Sequence, residues 1–146
     1  DYRWWKANEG LPEWTALKVS VHHRLVENAW GIRHLPMNRA DVMETARPGI
    51  LGWGGNSGFQ AVNLAAQLVG PGRVILVGFD MTLAGGLHWH GAHPQFNPKA
   101  DSIGRWRRVL DRAAASLAKA GTTVLNASPA SALRNYPKVT LAEALA

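Results

Sequence analysis

Cysteine is absent from the 146 residues of this chain. Neither a disulfide framework nor a cysteine-ligated zinc site can therefore form. Long apolar runs are missing too, since no stretch approaches the roughly 18 residues that a membrane-spanning helix needs. Nothing at the amino terminus resembles a secretory signal. These absences predict a soluble protein without membrane contact, and the lack of cysteine fits the cytoplasm.

Two common nucleotide-binding fingerprints are also absent. The chain contains no Gly-X-Gly-X-X-Gly segment of the dinucleotide-binding type, and no glycine-rich loop that ends in Gly-Lys-Ser or Gly-Lys-Thr. A phosphate site of either of these two kinds is therefore excluded.

The composition that remains is that of one folded domain. Hydrophobic residues make up 47% of the chain and charged residues 18%, which is typical of globular proteins. No repeat, low-complexity tract or linker divides residues 1–146, so we predict a single domain with one core. The chain begins at Asp1 rather than methionine, from which we expect a trimmed terminus and a missing upstream segment.

Positive charge is in excess, with 16 Lys and Arg against 10 Asp and Glu, a net charge of +6. This excess favours acidic partners such as nucleotides, phosphorylated small molecules or nucleic acid, although an ordinary basic surface would look the same. Arg105, Arg108 and Arg112 fall on one face of a predicted helix, which is usually a solvated face. Arg105 would reach an anionic ligand if the first turn of that helix borders the site.

Tryptophan is frequent, with seven in the chain. Trp4, Trp5 and Trp14 crowd the N-terminal region, where they could cover a sheet edge or stack on a ligand. We favour packing, because large aromatic side chains dominate core burial.

Hydrophobic periodicity predicts helices and strands in alternation. The predicted elements are a short helix ending at Gly10, a strand at Leu17–Val21, a helix from Ser57 to Gly70, a strand in Arg73–Phe79, a helix in Asp101–Gly121 capped by Asp101 or Ser102, a strand in Thr122–Ala127 and a final helix capped by Thr140 and Glu143. Residues 31–48 are predicted to be irregular. The unalternating strands are typical of burial on both faces, so we predict an α/β fold with an open, mostly parallel sheet and helices on both faces. Val74–Val77 would be a central parallel strand.

The segment GGNSG precedes the predicted helix at Ser57. Asn56 or Ser57 can cap this helix, and the free amides of its first turn form an anion site. Gly54, Gly55 and Gly58 carry no side chain that would keep a phosphate or sugar away from those amides. A capped turn without any ligand would explain the same residues.

Polar residues follow two of the predicted strands. Because ligands of open α/β sheets lie beyond the carboxyl ends of the strands, we expect Asp80 and the loop after the last strand on one rim. Asp80 would hold a ribose hydroxyl or a metal, or would only cap a turn or pair with an arginine. In the loop, Asn126, Ser128 and Ser131 are candidate ligand-binding residues.

Three histidines, His88, His90 and His93, lie in the glycine-rich loop that follows Asp80. They could supply a general acid or base, contact a phosphate, hold a metal, or simply face solvent. Since the loop leaves the strand directly, we expect them near Asp80 with at least one facing the pocket.

These motifs together resemble a known group of proteins. The segments GGNSGFQAVNLAAQL, VILVGFDM, LHWHGAHP and VLNASPASAL resemble proteins encoded by phages and prophages, mostly without an assigned function, over about residues 17–146. Over about residues 54–81 the chain is also similar to the 6-hydroxymethylpterin diphosphokinase-like domain and to sialyltransferases of the Campylobacter type. Both of these have a Gly/Ser-rich helix start followed by a strand that ends in Gly-X-Asp.

The resemblance implies a Rossmann-like nucleotide-binding fold used by transferases. Asn56, Ser57 and Gly58 would contact the nucleotide or its phosphates, Asp80 its ribose or a magnesium ion, and one loop histidine would act as acid or base. The chain is much shorter than those enzymes, and their acceptor-binding elements have no match in it.

The resulting expectation is a nucleotide-dependent transferase of the host cytoplasm that moves a diphosphoryl group or a sugar. The alternatives are a non-catalytic module that binds a nucleotide or nucleic acid, and a metal-dependent hydrolase built on the histidine loop. A nucleotide or a phosphorylated small molecule is the favoured partner over nucleic acid. The nucleotide, the acceptor and the oligomeric state stay open.

Overall fold

The computed structural model, which describes residues 2–86, 97 and 99–146, shows a mixed α/β chain. Helices and strands alternate from residue 57 onward. The elements are α1 (Tyr2–Ala7), β1 (Val19–Ser20), a 3-10 turn (His23–Leu25), β2 (Arg33–His34), β3 (Met37–Asn38), β4 (Leu51–Gly52), α2 (Ser57–Val69), β5 (Gly72–Leu76), α3 (Ala100–Lys119), β6 (Thr122–Asn126) and α4 (Leu141–Leu145). None of the described helices has the length and apolar character needed to cross a membrane.

The strands form three separate parallel pairs, β1 with β2, β3 with β4 and β5 with β6. The longest pair runs in register from Gly72 opposite Thr122 to Leu76 opposite Asn126. Parallel pairing of the predicted strand at Val74–Val77 is therefore confirmed, with bounds shifted toward the N-terminus. Among the described residues β5 pairs with no strand other than β6, so a central position for β5 stays a prediction.

The hydrophobic core lies on one face of the β5–β6 pair. Val74, Leu76 and Val124 share this face because side chains alternate along a strand, and they cluster with buried residues of both α2 and α3. On the opposite face Arg73 is exposed and Val77 retains 58% of its accessible surface. The prediction that this strand is buried on both faces is wrong, because the two longer helices pack on the same side.

Local signals place the helix ends well. The Asn56 side chain accepts a hydrogen bond from the Phe59 N–H (2.9 Å), and α2 ends at Gly70. At α4, Thr140 and Glu143 form the predicted capping box, and the hydrogen bonds from Thr140 lower the pKa of the Glu143 carboxyl.

The predicted cap of α3 is wrong. This helix begins at Ala100, and its N-cap is Lys99, which makes no side-chain cap bond. Asp101 lies in the first turn instead, where its negative charge interacts favourably with the helix dipole.

Two predictions for the first half of the chain are also corrected. β2 and β3 occupy the stretch predicted to be irregular, and each is only two residues long, too short for an alternating pattern to appear. The helix α1 buries none of its residues, and Trp4 and Trp14 keep 49% and 56% of their surface exposed. These two tryptophans therefore do not serve core packing.

Candidate ligand-binding cleft

The glycine-rich turn before α2 packs against protein side chains. Gly54 (φ +55°) and Gly55 (φ +77°) both lie in the left-handed region, which favours glycine. A β-carbon on Gly54 would collide with the Phe59 ring, and one on Gly55 with the Arg105 guanidinium. Conformation and internal packing thus already require both glycines, and clearance for a ligand is not needed to explain them.

Arg105 links α3 to this turn. Its guanidinium lies over the Trp53 ring, 4.7 Å from the ring centre, and its Nη2 donates to both carboxylate oxygens of Asp41 at 2.8 and 2.6 Å. The first turns of α3 therefore border the glycine-rich turn. An anionic ligand bound at that turn would lie near Arg105. Arg108 and Arg112, further along the helix, are exposed.

Replacing Gly55 with alanine is expected to lower the free energy of unfolding by about 1–2 kcal/mol for the left-handed backbone alone, with a further loss from displacing Arg105. Chemical denaturation measures the total loss. Adding Arg105→Ala to the Gly55→Ala variant removes the steric clash, so it should recover the loss caused by displacing Arg105 and leave the backbone loss. Gly85→Ala is the matched control, since a β-carbon there meets open space. Equal stability of the Gly55 and Gly85 variants would contradict the packing role.

The predicted loop residues hold the carboxyl end of β5 through its backbone. The Ser128 hydroxyl accepts from the Phe79 N–H (2.9 Å), the Ser131 hydroxyl donates to the Phe79 carbonyl (2.6 Å), and Asn126 Oδ1 accepts from the Ser128 N–H (3.1 Å). All three side chains are buried, whereas Asp80 is exposed at the end of this scaffold. The buried Nδ2 of Asn126 has no hydrogen-bond partner in the described part of the chain.

The carboxyl end of β5 meets the start of α2. A β-carbon on Gly58 would lie 3.2 Å from the Phe79 ring, so Asp80 follows a residue that touches the first turn of the helix. Two of the predicted site segments are thereby brought together. Predicted residues His88, His90 and His93 lie outside the described residues, so their place beside Asp80 stays a prediction. Within the described ranges no group of three histidine, cysteine or carboxylate side chains is arranged to hold a metal.

A cleft of about 630 Å³ opens at the first turn of α2. Most of its walls come from residues in or just beyond β1, β2, β3 and β4, and the indoles of α1 close it. The lining residues are Trp4, Trp5, Val19, Ser20, Val21, His22, His23, His34, Met37, Arg39, Trp53, Ser57 and Gln60. Of the predicted ligand-binding residues, Ser57 alone is in this lining.

Imidazoles dominate the polar wall of the cleft. The His22 ring stacks with the Tyr2 ring at 5.5 Å and with the His23 ring at 4.7 Å, measured between ring centres. Burial of the ring lowers the pKa of His22, and the neighbouring His23, Arg24 and His34 lower it further. The imidazole of His22 is therefore neutral at neutral pH.

The hydrogen bonding of His22 determines which nitrogen carries its proton. Nδ1 accepts from the backbone N–H of Arg24 at 3.3 Å, which caps the 3-10 turn. The neutral ring consequently has its proton on Nε2. His22 is thus able to donate a hydrogen bond through Nε2 without being charged.

Sequence reasoning missed the basic residues of this cleft, His22, His23, His34 and Arg39. A signal for the first two was available, because they directly follow the predicted strand Leu17–Val21 and so stand at a carboxyl end, where ligands bind. His34 and Arg39 gave no such signal, since the strands beside them were not predicted.

Comparison of the chain with protein-family models, with curated proteins and with solved structures finds no match. The resemblance to phage-encoded proteins therefore stays a prediction. The geometry of the cleft and of the β5 edge is the basis for a functional interpretation.

Proposed function

We propose that this protein is a nucleotide-dependent transferase whose nucleotide binds in the cleft at the start of α2. The observation that carries this proposal is the lining of the cleft, which combines Ser57 of the first α2 turn, basic residues such as Arg39, and the tryptophans Trp4, Trp5 and Trp53. Nucleotides present the complementary groups, namely phosphates and a planar base.

Each part of the lining has a distinct role in this proposal. The amides of the first α2 turn and the Arg39 guanidinium stabilise phosphate charge. The indoles offer flat apolar faces on which a base stacks. The volume of about 630 Å³ falls within the usual range for small-molecule sites.

A Rossmann-like open sheet belongs to the same proposal. The parallel direction of all three strand pairs supports it, and so does a cleft at strand ends. Val77 is exposed on the second face of the β5–β6 pair. In a Rossmann-like fold a helix would cover that face. Asp80, exposed at the end of β5, would hold a ribose hydroxyl, and a histidine of the loop at His88, His90 or His93 would deprotonate the acceptor.

Arg39→Ala is expected to weaken nucleotide binding about tenfold or more, because a hydrogen bond to a charged group contributes about 1.5–3 kcal/mol. A thermal-shift screen of nucleotides and nucleotide sugars identifies the ligand, and calorimetric titration measures the change. Arg112→Ala, on the exposed face of α3, is the matched control. Ser57→Ala is a second probe that spares the fold, since Asn56 and not Ser57 caps the helix.

Failure of every nucleotide and nucleotide sugar to raise the melting temperature would rule the transferase proposal out. Binding without transfer to any acceptor would leave a nucleotide-binding module. Transfer of a diphosphoryl group or of a sugar would be distinguished by the products formed.

A single-stranded nucleic acid is the second candidate ligand, and the exposure of Trp4 and Trp14 favours it. Such surfaces bind by stacking bases on aromatic rings and by contacting phosphates, so affinity falls steeply with salt. Fluorescence anisotropy with a labelled oligonucleotide tests this. Trp14 is outside the cleft lining, so Trp14→Ala should weaken oligonucleotide binding and leave mononucleotide binding unchanged.

A further inference from the structure

The part of the cleft lining that the structure describes includes basic side chains and no acidic ones. His22, His23, His34 and Arg39 are among the described residues that line it, and none of those lining residues is Asp or Glu. An imidazole has an ordinary pKa of about 6.5 and gains a proton readily when an anion arrives beside it. Such a wall suits a ligand that brings two negative charges at one end.

Among the described residues, those that contact His22 or shift its pKa are cationic or uncharged. Tyr2 of α1 and His23 of the 3-10 turn both stack with its ring, Arg24 follows in that turn, and His34 of β2 acts on it through its charge. With only these neighbours, each further proton in the cleft meets repulsion. A bound dianion would reverse that balance.

We propose that the cleft selects a ligand that ends in a phosphate monoester, and that two of its imidazoles, His23 and His34, take up a proton as the dianion binds. This inference rests on the proposed function, because it specifies the phosphate end of the nucleotide. A phosphate monoester has a second pKa of about 6, so it is a dianion at neutral pH. A phosphate diester carries a single charge.

The sign of the pH dependence follows from the proton balance. The complex holds more protons than the free partners, so binding tightens as the pH falls from about 8 to about 6.5. Uptake of one proton corresponds to about a tenfold change in affinity for each pH unit. Below about pH 6 the ligand itself becomes protonated, so the gain levels off.

Two small probes separate this selectivity from general anion binding. Phenyl phosphate presents an aromatic ring and a monoester, and methyl phenyl phosphate presents the same ring and a diester. We expect NMR titration to show phenyl phosphate binding about five- to tenfold more tightly at about pH 7 than at about pH 8. Methyl phenyl phosphate should bind more weakly and with a smaller pH dependence.

The double variant His23→Gln, His34→Gln should flatten the pH dependence for phenyl phosphate. His22 is left in place because its ring caps the 3-10 turn. His23 is exposed, so its replacement should not disturb the fold. An unchanged melting temperature of the double variant would show that the fold is intact. Arg112→Gln is the control and should leave the pH dependence unchanged.

Equal binding of the two probes at every pH overturns the inference but not the proposed function. Absence of binding by either probe also overturns it, and the proposed function falls as well if no nucleotide raises the melting temperature.

Discussion

Asn63→Leu is expected to lower the free energy of unfolding by about 2 kcal/mol or more, because it leaves two buried backbone N–H groups without partners at about 1–3 kcal/mol each. Asn63 is fully buried in α2. Its Oδ1 accepts from the N–H groups of Glu44 (3.1 Å) and Gly52 (2.8 Å), and its Nδ2 donates to the Glu44 carbonyl (2.8 Å). Urea denaturation measures the loss.

Asn8→Leu makes the same chemical change at an exposed site, where the Asn8 amide donates to the Trp4 carbonyl (2.8 Å). Its cost should stay below about 1 kcal/mol. Equal losses for the two variants would show that the Asn63 hydrogen bonds do not hold β4 against α2. These hydrogen bonds also affect the cleft, because Gly52 immediately precedes the lining residue Trp53.

Phe59→Ala is expected to lower the free energy of unfolding by about 3–5 kcal/mol, the usual cost of emptying a phenylalanine site in a core. Phe59 is fully buried, and its ring fills the space beside Gly52 and Gly54. The cavity would therefore loosen the turn that leads into α2, so we expect weaker nucleotide binding as well. Denaturation and calorimetric titration of the same variant measure the two effects.

Leu68→Ala is the control on the same helix. Leu68 is exposed, so its loss should change stability by less than about 0.5 kcal/mol and leave binding unaltered. A Phe59 variant as stable as the Leu68 variant would contradict the central place of Phe59 in the core.

Predictions made from short stretches of sequence agree with the structure most closely. The start of α2 at Ser57, its end at Gly70 and the capping box of α4 each depend on residues within one turn of the helix. Parallel pairing of β5 with β6 was predictable as well, because a helix of 20 residues separates two apolar runs. Strands of two residues, such as β2 and β3, carry no periodic signal and were missed.

The candidate site was predictable only in part. The Gly-rich helix start and the polar residues after β5 and β6 were predicted to share one edge, and the structure brings these segments together around Phe79. They did not indicate that Phe59 and Arg105 fill the space beside Gly54 and Gly55, because Arg105 lies on another helix, 50 residues further along the sequence. The imidazole wall of His22 and His34 was missed for the same reason, since two strands bring it together.

The amino-acid sequence by itself determined the α/β class, the caps of α2 and α4 and the parallel direction of the longest strand pair, because propensity, capping and apolar runs act between residues close in the chain. The tertiary structure alone decided which face of β5 is buried, which side chains the glycines accommodate, and which basic residues meet in the cleft. These features depend on how distant segments pack together, and packing has no signature within any single segment.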